Sequence, residues 1–248
     1  MAKKTPAYIA AFIRRVIKDG GSAPHSADVQ KFFKEEVASR GWYTHELRKL
    51  AVRFRRQMVH DNGMQFTLQV CDKLFKGRVL EEKAFAVLML QGQTRNFGST
   101  EFRLFESWLN RVSNWADHDA LVHYLIGPMI LVEPSRAKVV LRWAKSQNRW
   151  HRRAAAVSLI HLSRKRAGFD HVVKVTELLL TDEDDMVQKG LGWLLRETAK
   201  ADAKTTVPYL MRIRERAPRL VLRTACEKLT AEERASILGT KNVRAAGA

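Results

Sequence analysis

Apolar residues recur three and four positions apart along most of this chain. Phe66, Leu68, Val70, Leu74 and Phe75 lie on one such segment, and Phe85, Val87, Leu88, Met89 and Leu90 on another. A period near 3.6 gathers apolar side chains on one face of a helix, whereas a half-buried strand alternates with a period of two. Strand signals are nearly absent. The helical segments are punctuated by Gly20-Gly21, Gly41, Asn62-Gly63, Asn96-Phe97-Gly98, Pro134, Gly168, Pro208 and Pro218. Helix starts are signalled by Ser99-Thr100-Glu101 and Thr181-Asp182-Glu183, because short polar side chains there satisfy the unpaired N–H groups of a first turn. The pattern predicts an all-α chain of about a dozen helices joined by short connections.

The second half carries a weak internal repeat. Trp150-His151-Arg152-Arg153-Ala154-Ala155 aligns with Met186-Val187-Gln188-Lys189-Gly190-Leu191, and that segment with Val221-Leu222-Arg223-Thr224-Ala225-Cys226. Each runs from an apolar residue through polar or basic ones to small and apolar ones. Glu46-Leu47-Arg48-Lys49-Leu50-Ala51 has the same character in the first half. This is the texture of HEAT-like helical pairs, which stack into a solenoid with a concave surface. No segment reads as a linker, so one domain is expected over residues 5–238. The tail 239–248 is expected to be disordered.

Charge changes this picture. The 248 residues include 44 Lys and Arg against 26 Asp and Glu, a formal net charge of +18. Such an excess repels itself unless an anion compensates, and the usual anions are nucleic acid or a membrane surface. No apolar run approaches the ~20 residues that span a bilayer. The first residues, Met1-Ala2-Lys3-Lys4-Thr5-Pro6, lack the apolar core of a signal peptide. A cytoplasmic protein is therefore expected. The densest basic run is Arg48, Lys49, Arg53, Arg55 and Arg56, joined by Arg40; others are Arg149, Arg152 and Arg153, then Arg164, Lys165 and Arg166, then Arg212, Arg214, Arg216, Arg219 and Arg223. Any one cluster can be an ordinary solvated helix face. Together they suit a concave basic groove for the phosphates of DNA. Cys71 and Cys226 lie in apolar segments without ligand spacing and read as buried thiols. Neither metal spacing among the eight His nor a Gly-rich phosphate loop is present, so no metal, nucleotide or other cofactor is expected.

Trp115 and Asp119 are four residues apart, which places both on one helix face. Asp119 can be a first-turn carboxylate or a catalytic one. Asp117 should point away from Trp115. Trp115 and Trp193 can be core residues or site walls, Arg153 a solvated repeat residue or a phosphate ligand, and Trp150 reads as core.

Three motifs carry a resemblance that favours the functional alternatives. Trp115-x-x-x-Asp119, Trp150-x-x-Arg153-Ala154-Ala155, and Gln188-Lys189-Gly190-Leu191-Gly192-Trp193-Leu194-Leu195-Arg196-Glu197 stand in this order. In them the chain resembles the AlkD-type DNA alkylation repair family, HEAT-like-repeat glycosylases of alkylated purines. The likeness is strongest over about residues 105–200, and the third motif is the most specific. It departs at Ala116, where relatives often carry an acidic residue, and at Phe32, which takes the place of a tyrosine near the DNA.

The resemblance implies a catalytic role for Asp119, aromatic walls at Trp115 and Trp193, and a phosphate clamp at Arg153; Arg152 and Arg149, its neighbours in the chain, are expected to serve the nearby backbone. It implies a monofunctional glycosylase that acts as a monomer on double-stranded DNA and hydrolyses the N-glycosidic bond of cationic N3- or N7-alkylated purines. The rival reading is a non-enzymatic HEAT-like DNA-binding protein for distorted or branched DNA, which would not need Asp119.

Overall fold

The computed structural model describes residues 5–239, and within them it is all-α, with no strand. Fifteen α-helical stretches are present among the described residues, several of a single turn. Residues 240–248 of the expected tail lie outside the described residues. The chain divides into two compact units between Met129 and Ile130. That division falls inside a helix, α7 (Gly127–Val132). Gly127-Pro128 stands just before it, but the helix runs on through both residues.

The first unit begins with α1 (Pro6–Asp19) and α2 (Ala23–Gln30). The long α3 (Thr44–Phe75) breaks at Gly63, whose φ of 81° is open chiefly to glycine. The Asn62-Gly63 punctuation thus marks a kink between two arms. Next, α4 (Leu80–Leu90) is buried nearly all round, with Phe85, Ala86, Val87, Met89 and Leu90 wholly enclosed. α3 packs along α4 and against α1. Then α5 (Ser99–Trp108) opens where the sequence indicates, its Glu101 accepting the Gly98 N–H at 2.8 Å. Behind it Trp108 stacks on Phe75 at 4.4 Å and donates its indole N–H to Asp72. Finally α6 (Trp115–Leu121) runs into a π-helical stretch, Val122–Ile126.

In the second unit a 3-10 stretch, Pro134–Val139, leads into α8 (Val140–Trp143). There follow α9 (Arg149–Val157), α10 (Ile160–Arg164), α11 (Phe169–Leu179), α12 (Asp185–Ala201), α13 (Ala203–Ile213), α14 (Arg219–Ala225) and α15 (Ala231–Leu238). The three aligned repeat segments lie on α9, α12 and α14. α12 packs against α9 and against α14, as stacked repeats should. Trp150, Val187, Val221 and Leu222 are buried on these helices.

Two sequence expectations shift. α12 starts later than Thr181-Asp182-Glu183: its cap is Asp184, which accepts the N–H groups of Met186 and Val187 at 2.9 and 3.1 Å. Pro208 lies inside α13 instead of ending a helix. Only one backbone bond near the start of α13 is lost there, and burial of Tyr209, Leu210 and Ile213 outweighs it. Both cysteines are buried, and burial pushes both thiols above their usual range.

Candidate active site

The first unit carries Trp115 and Asp119 on α6. Asn114 caps this helix by accepting the Asp117 N–H at 2.9 Å. Asp117 then turns inward. Its Oδ2 accepts from Lys83 Nζ at 2.7 Å, from the Ser113 hydroxyl at 2.8 Å and from the Ser113 N–H at 3.2 Å. Lys83 also donates to the Arg111 carbonyl at 2.7 Å and to Ser113 Oγ at 3.0 Å. An ammonium has three protons, and all three are used. Both side chains are almost wholly enclosed, at 4% and 1% exposure. This buried pair fixes the start of α6 onto α4.

Capping is thus done by Asn114, and Asp117 pairs with Lys83; Asp119 lies half a turn further along α6. Its side chain keeps 20% exposure, and its Oδ1 lies 2.7 Å from Nδ1 of His118, whose ring is fully buried. Facing an ionised carboxylate, Nδ1 must carry the proton and donate. The imidazole therefore holds the carboxylate in one orientation. One turn earlier, Trp115 is 36% exposed, and its indole stacks on Phe33 with centroids 5.1 Å apart and an interplanar angle of 19°. The adjacent Phe32 is 74% exposed. The π-helical stretch after α6 is a type of distortion often found at functional sites.

The second unit carries the other expected residues. Arg149 pairs with Asp184 at 2.9 Å and Asp185 at 3.4 Å, with its guanidinium over the Trp150 ring. Arg152 makes a two-pronged pair with Asp182, at 2.5 and 3.3 Å, and donates to the carbonyls of Ser146 and Gln147. Both guanidinium groups tie α9 to the segment before α12. Arg153 is buried, and its guanidinium donates to the Met186 carbonyl. Trp193 is half-buried on α12.

The surroundings of Trp193 explain most of the third motif. Gln188 donates to the Asp182 carbonyl at 2.8 Å, and Lys189 pairs with Asp185 at 3.1 Å. Arg196 reaches Glu227 at 2.7 Å, and Glu197 takes Arg164 at 2.8 Å. Burial of Glu197 opposes ionisation, but the Arg164 and Arg196 guanidinium groups prevail and hold its carboxyl below the usual range. The glycines permit close approach. A Cβ on Gly190 would lie 2.9 Å from Cγ of Arg153, and one on Gly192 would lie 2.7 Å from Cβ of Thr224 on α14. Trp193, half-buried, is the one aromatic of this motif.

Gly192→Ala separates two opposing effects. Alanine favours a helix interior over glycine by about 1 kcal/mol. Thr224 Cβ cannot swing aside, so the added methyl forces α12 from α14, an overpacking cost of typically 1–3 kcal/mol. Net destabilisation in urea unfolding is expected. A stabilised variant would show that the helices do not approach so closely.

Sequence reasoning missed Phe33, His118 and the Lys83–Asp117 pair. Only His118, next to Asp119 in the chain, left a local signal. Among the described residues no group of three or more His, Cys, Asp or Glu side chains is arranged to hold a metal ion, and no helix is long and apolar enough to cross a membrane.

Fold and site together define an all-helical repeat protein with a carboxylate held one turn from a partly exposed indole. Residues 13–229 match the family described as DNA alkylation repair enzyme, and the chain belongs to that family. No curated protein is significantly similar in sequence. Among solved structures, a predicted DNA alkylation repair enzyme from Enterococcus faecalis is similar, with a TM-score of 0.76 at 17% identity over 85% of this chain and 97% of that one. AlkD2 from Streptococcus mutans has a TM-score of 0.58 at 17% identity over 84% and 99%. The smu.31 protein of Streptococcus mutans UA159 has 0.55 at 16% identity over 75% and 99%. At these identities the structural likeness speaks for the fold, and the family match for a role in repair of alkylated DNA.

Proposed function

We propose that this protein is a monofunctional DNA glycosylase that hydrolyses the N-glycosidic bond of cationic N3- or N7-alkylated purines in duplex DNA. The observation that carries the reading is the Asp119 carboxylate. It is oriented by His118, partly exposed, and one turn from Trp115 on α6. Breaking an N-glycosidic bond builds oxocarbenium-like positive charge on the sugar. A fixed carboxylate stabilises that charge and can orient the attacking water. An indole face attracts a cation by roughly 0.5–2 kcal/mol, which suits a partly exposed indole such as Trp115 to an alkylated purine; the resemblance gives Trp193 the same role. Arg153 would serve the DNA backbone, while Arg149 and Arg152, expected from the sequence to join it there, face aspartates and would instead hold α9 in place beside it. No base protonation is required, because the alkylated base already carries the positive charge that makes it a leaving group. The reading includes a cytoplasmic monomer that works without metal, nucleotide or other cofactor.

The test is a comparison of lesions. In matched duplexes under single-turnover conditions, 3-methyladenine or 7-methylguanine should be released, whereas neutral 1,N6-ethenoadenine and uracil should remain. An ionised carboxylate only accepts hydrogen bonds and an indole donates only weakly, so neither activates a neutral base. Comparable rates on both kinds of lesion would require a general acid and would overturn this mechanism.

A further inference from the structure

The basic clusters that look alike in sequence differ in what they touch. Those of the second unit are largely engaged: Arg149 and Arg152 by aspartates, Arg164 and Arg196 by Glu197 and Glu227, Arg216 by Glu177. A cation already facing a carboxylate has lost much of its attraction for a second anion. The first arm of α3 is different. Of its five cations, Arg48 lies over the Tyr124 ring at 5.9 Å, and Arg55 donates to the Gln91 carbonyl at 2.9 Å. The other three, Lys49, Arg53 and Arg56, are exposed and have no hydrogen-bond or ion-pair partner among the described residues.

Their spacing of four and then three residues puts them in one line on the helix surface. With Val52, Gln57 and His60 they border one shallow concavity. The carboxylates of this arm stand toward its ends: Glu46 in the first turn and Asp61 beside the kink, the latter against His60 at 2.8 Å. The arm's opposite face, with Leu47, Leu50, Ala51 and Met58, is buried, so the stripe sits on a fixed support. Lys49 to Arg56 spans about 10.5 Å of helix axis at 1.5 Å per residue. Duplex DNA carries one charge per ~1.7 Å of its own axis, so a stripe of this length faces several phosphates.

We propose that Lys49, Arg53 and Arg56 form a phosphate-backbone contact for duplex DNA on the first unit, a docking surface outside the candidate catalytic residues. This rests on the reading of duplex DNA as the partner. It does not depend on base excision.

The experiment measures binding of an undamaged duplex against salt concentration, for the wild type and for Lys49→Gln/Arg53→Gln/Arg56→Gln. Each lost phosphate contact removes about 0.9 from the slope of log K against log salt. The slope should become shallower by about 2–3. Glutamine keeps good helix propensity, and an unchanged circular dichroism melt verifies the fold. The control Lys174→Gln/Lys204→Gln/Lys228→Gln removes the same charge from exposed positions of the second unit and should keep the wild-type slope. An unchanged slope in the α3 variant, or an equal change in the control, would overturn the proposal. So would binding of the stripe to phosphatidylserine vesicles with no effect on the duplex slope. If the wild type releases no alkylated base, the glycosylase reading fails alone, because this comparison uses undamaged DNA.

Discussion

Replacing Asp119 with asparagine is expected to lower release of alkylated purine at least ~100-fold, the scale seen on loss of one preorganised electrostatic stabiliser. Duplex binding should stay within a few-fold of wild type. Asparagine has nearly the same shape and keeps an oxygen for the His118 contact, but it offers no negative charge to the developing sugar cation. The His118 contact allows a second variant to divide orientation from charge. His118→Asn leaves the carboxylate in place but removes the ring that fixes it. It should cost less than Asp119→Asn and appear in the single-turnover rate more than in binding. Wild-type excision by Asp119→Asn would remove Asp119 from the chemistry. Parallel losses of binding and excision would make it structural.

The largest effect on stability is expected at Lys83. Lys83→Met leaves Asp117 buried without its cation, and breaking a buried pair from one side typically costs 3–5 kcal/mol. The urea midpoint of the first unit should fall accordingly. Lys83→Met/Asp117→Leu removes both charges, so no uncompensated one remains, and it should recover much of the loss. Excision should suffer in the single variant even where the protein is still folded, because the pair sets the start of the helix that carries Trp115 and Asp119. A single variant as stable as wild type would mean that water reaches Asp117.

Features set by neighbours in the chain were legible beforehand. Helical periodicity gave the all-α class. Asn62-Gly63 marked the kink in α3, Ser99-Thr100-Glu101 opened α5, and both cysteines fell in the core. The aligned segments around Trp150, Met186 and Val221 became the stacked helices α9, α12 and α14. Expecting Asp117 to turn away from Trp115 also agreed with its burial against Lys83. What stayed hidden depends on distant partners. Nothing local says that Lys83 meets Asp117, or that Phe33 lies under Trp115. Nor does charge density reveal that Arg149 and Arg152 meet aspartates while Lys49, Arg53 and Arg56 do not. The motif from Gln188 to Glu197 mixes both kinds of information. Most of its positions position the helix through ion pairs and close contacts, and its pattern alone could not separate those from Trp193.

The most direct test of the central claim is whether the purified wild-type protein releases free methylated purine from alkylated duplex DNA. Release is followed by mass spectrometry of the base together with counting of abasic sites in the strand. The account predicts one abasic site for each base released and an unbroken phosphodiester backbone. Duplex binding without any base release would contradict it, and would leave a protein that recognises DNA without excising from it.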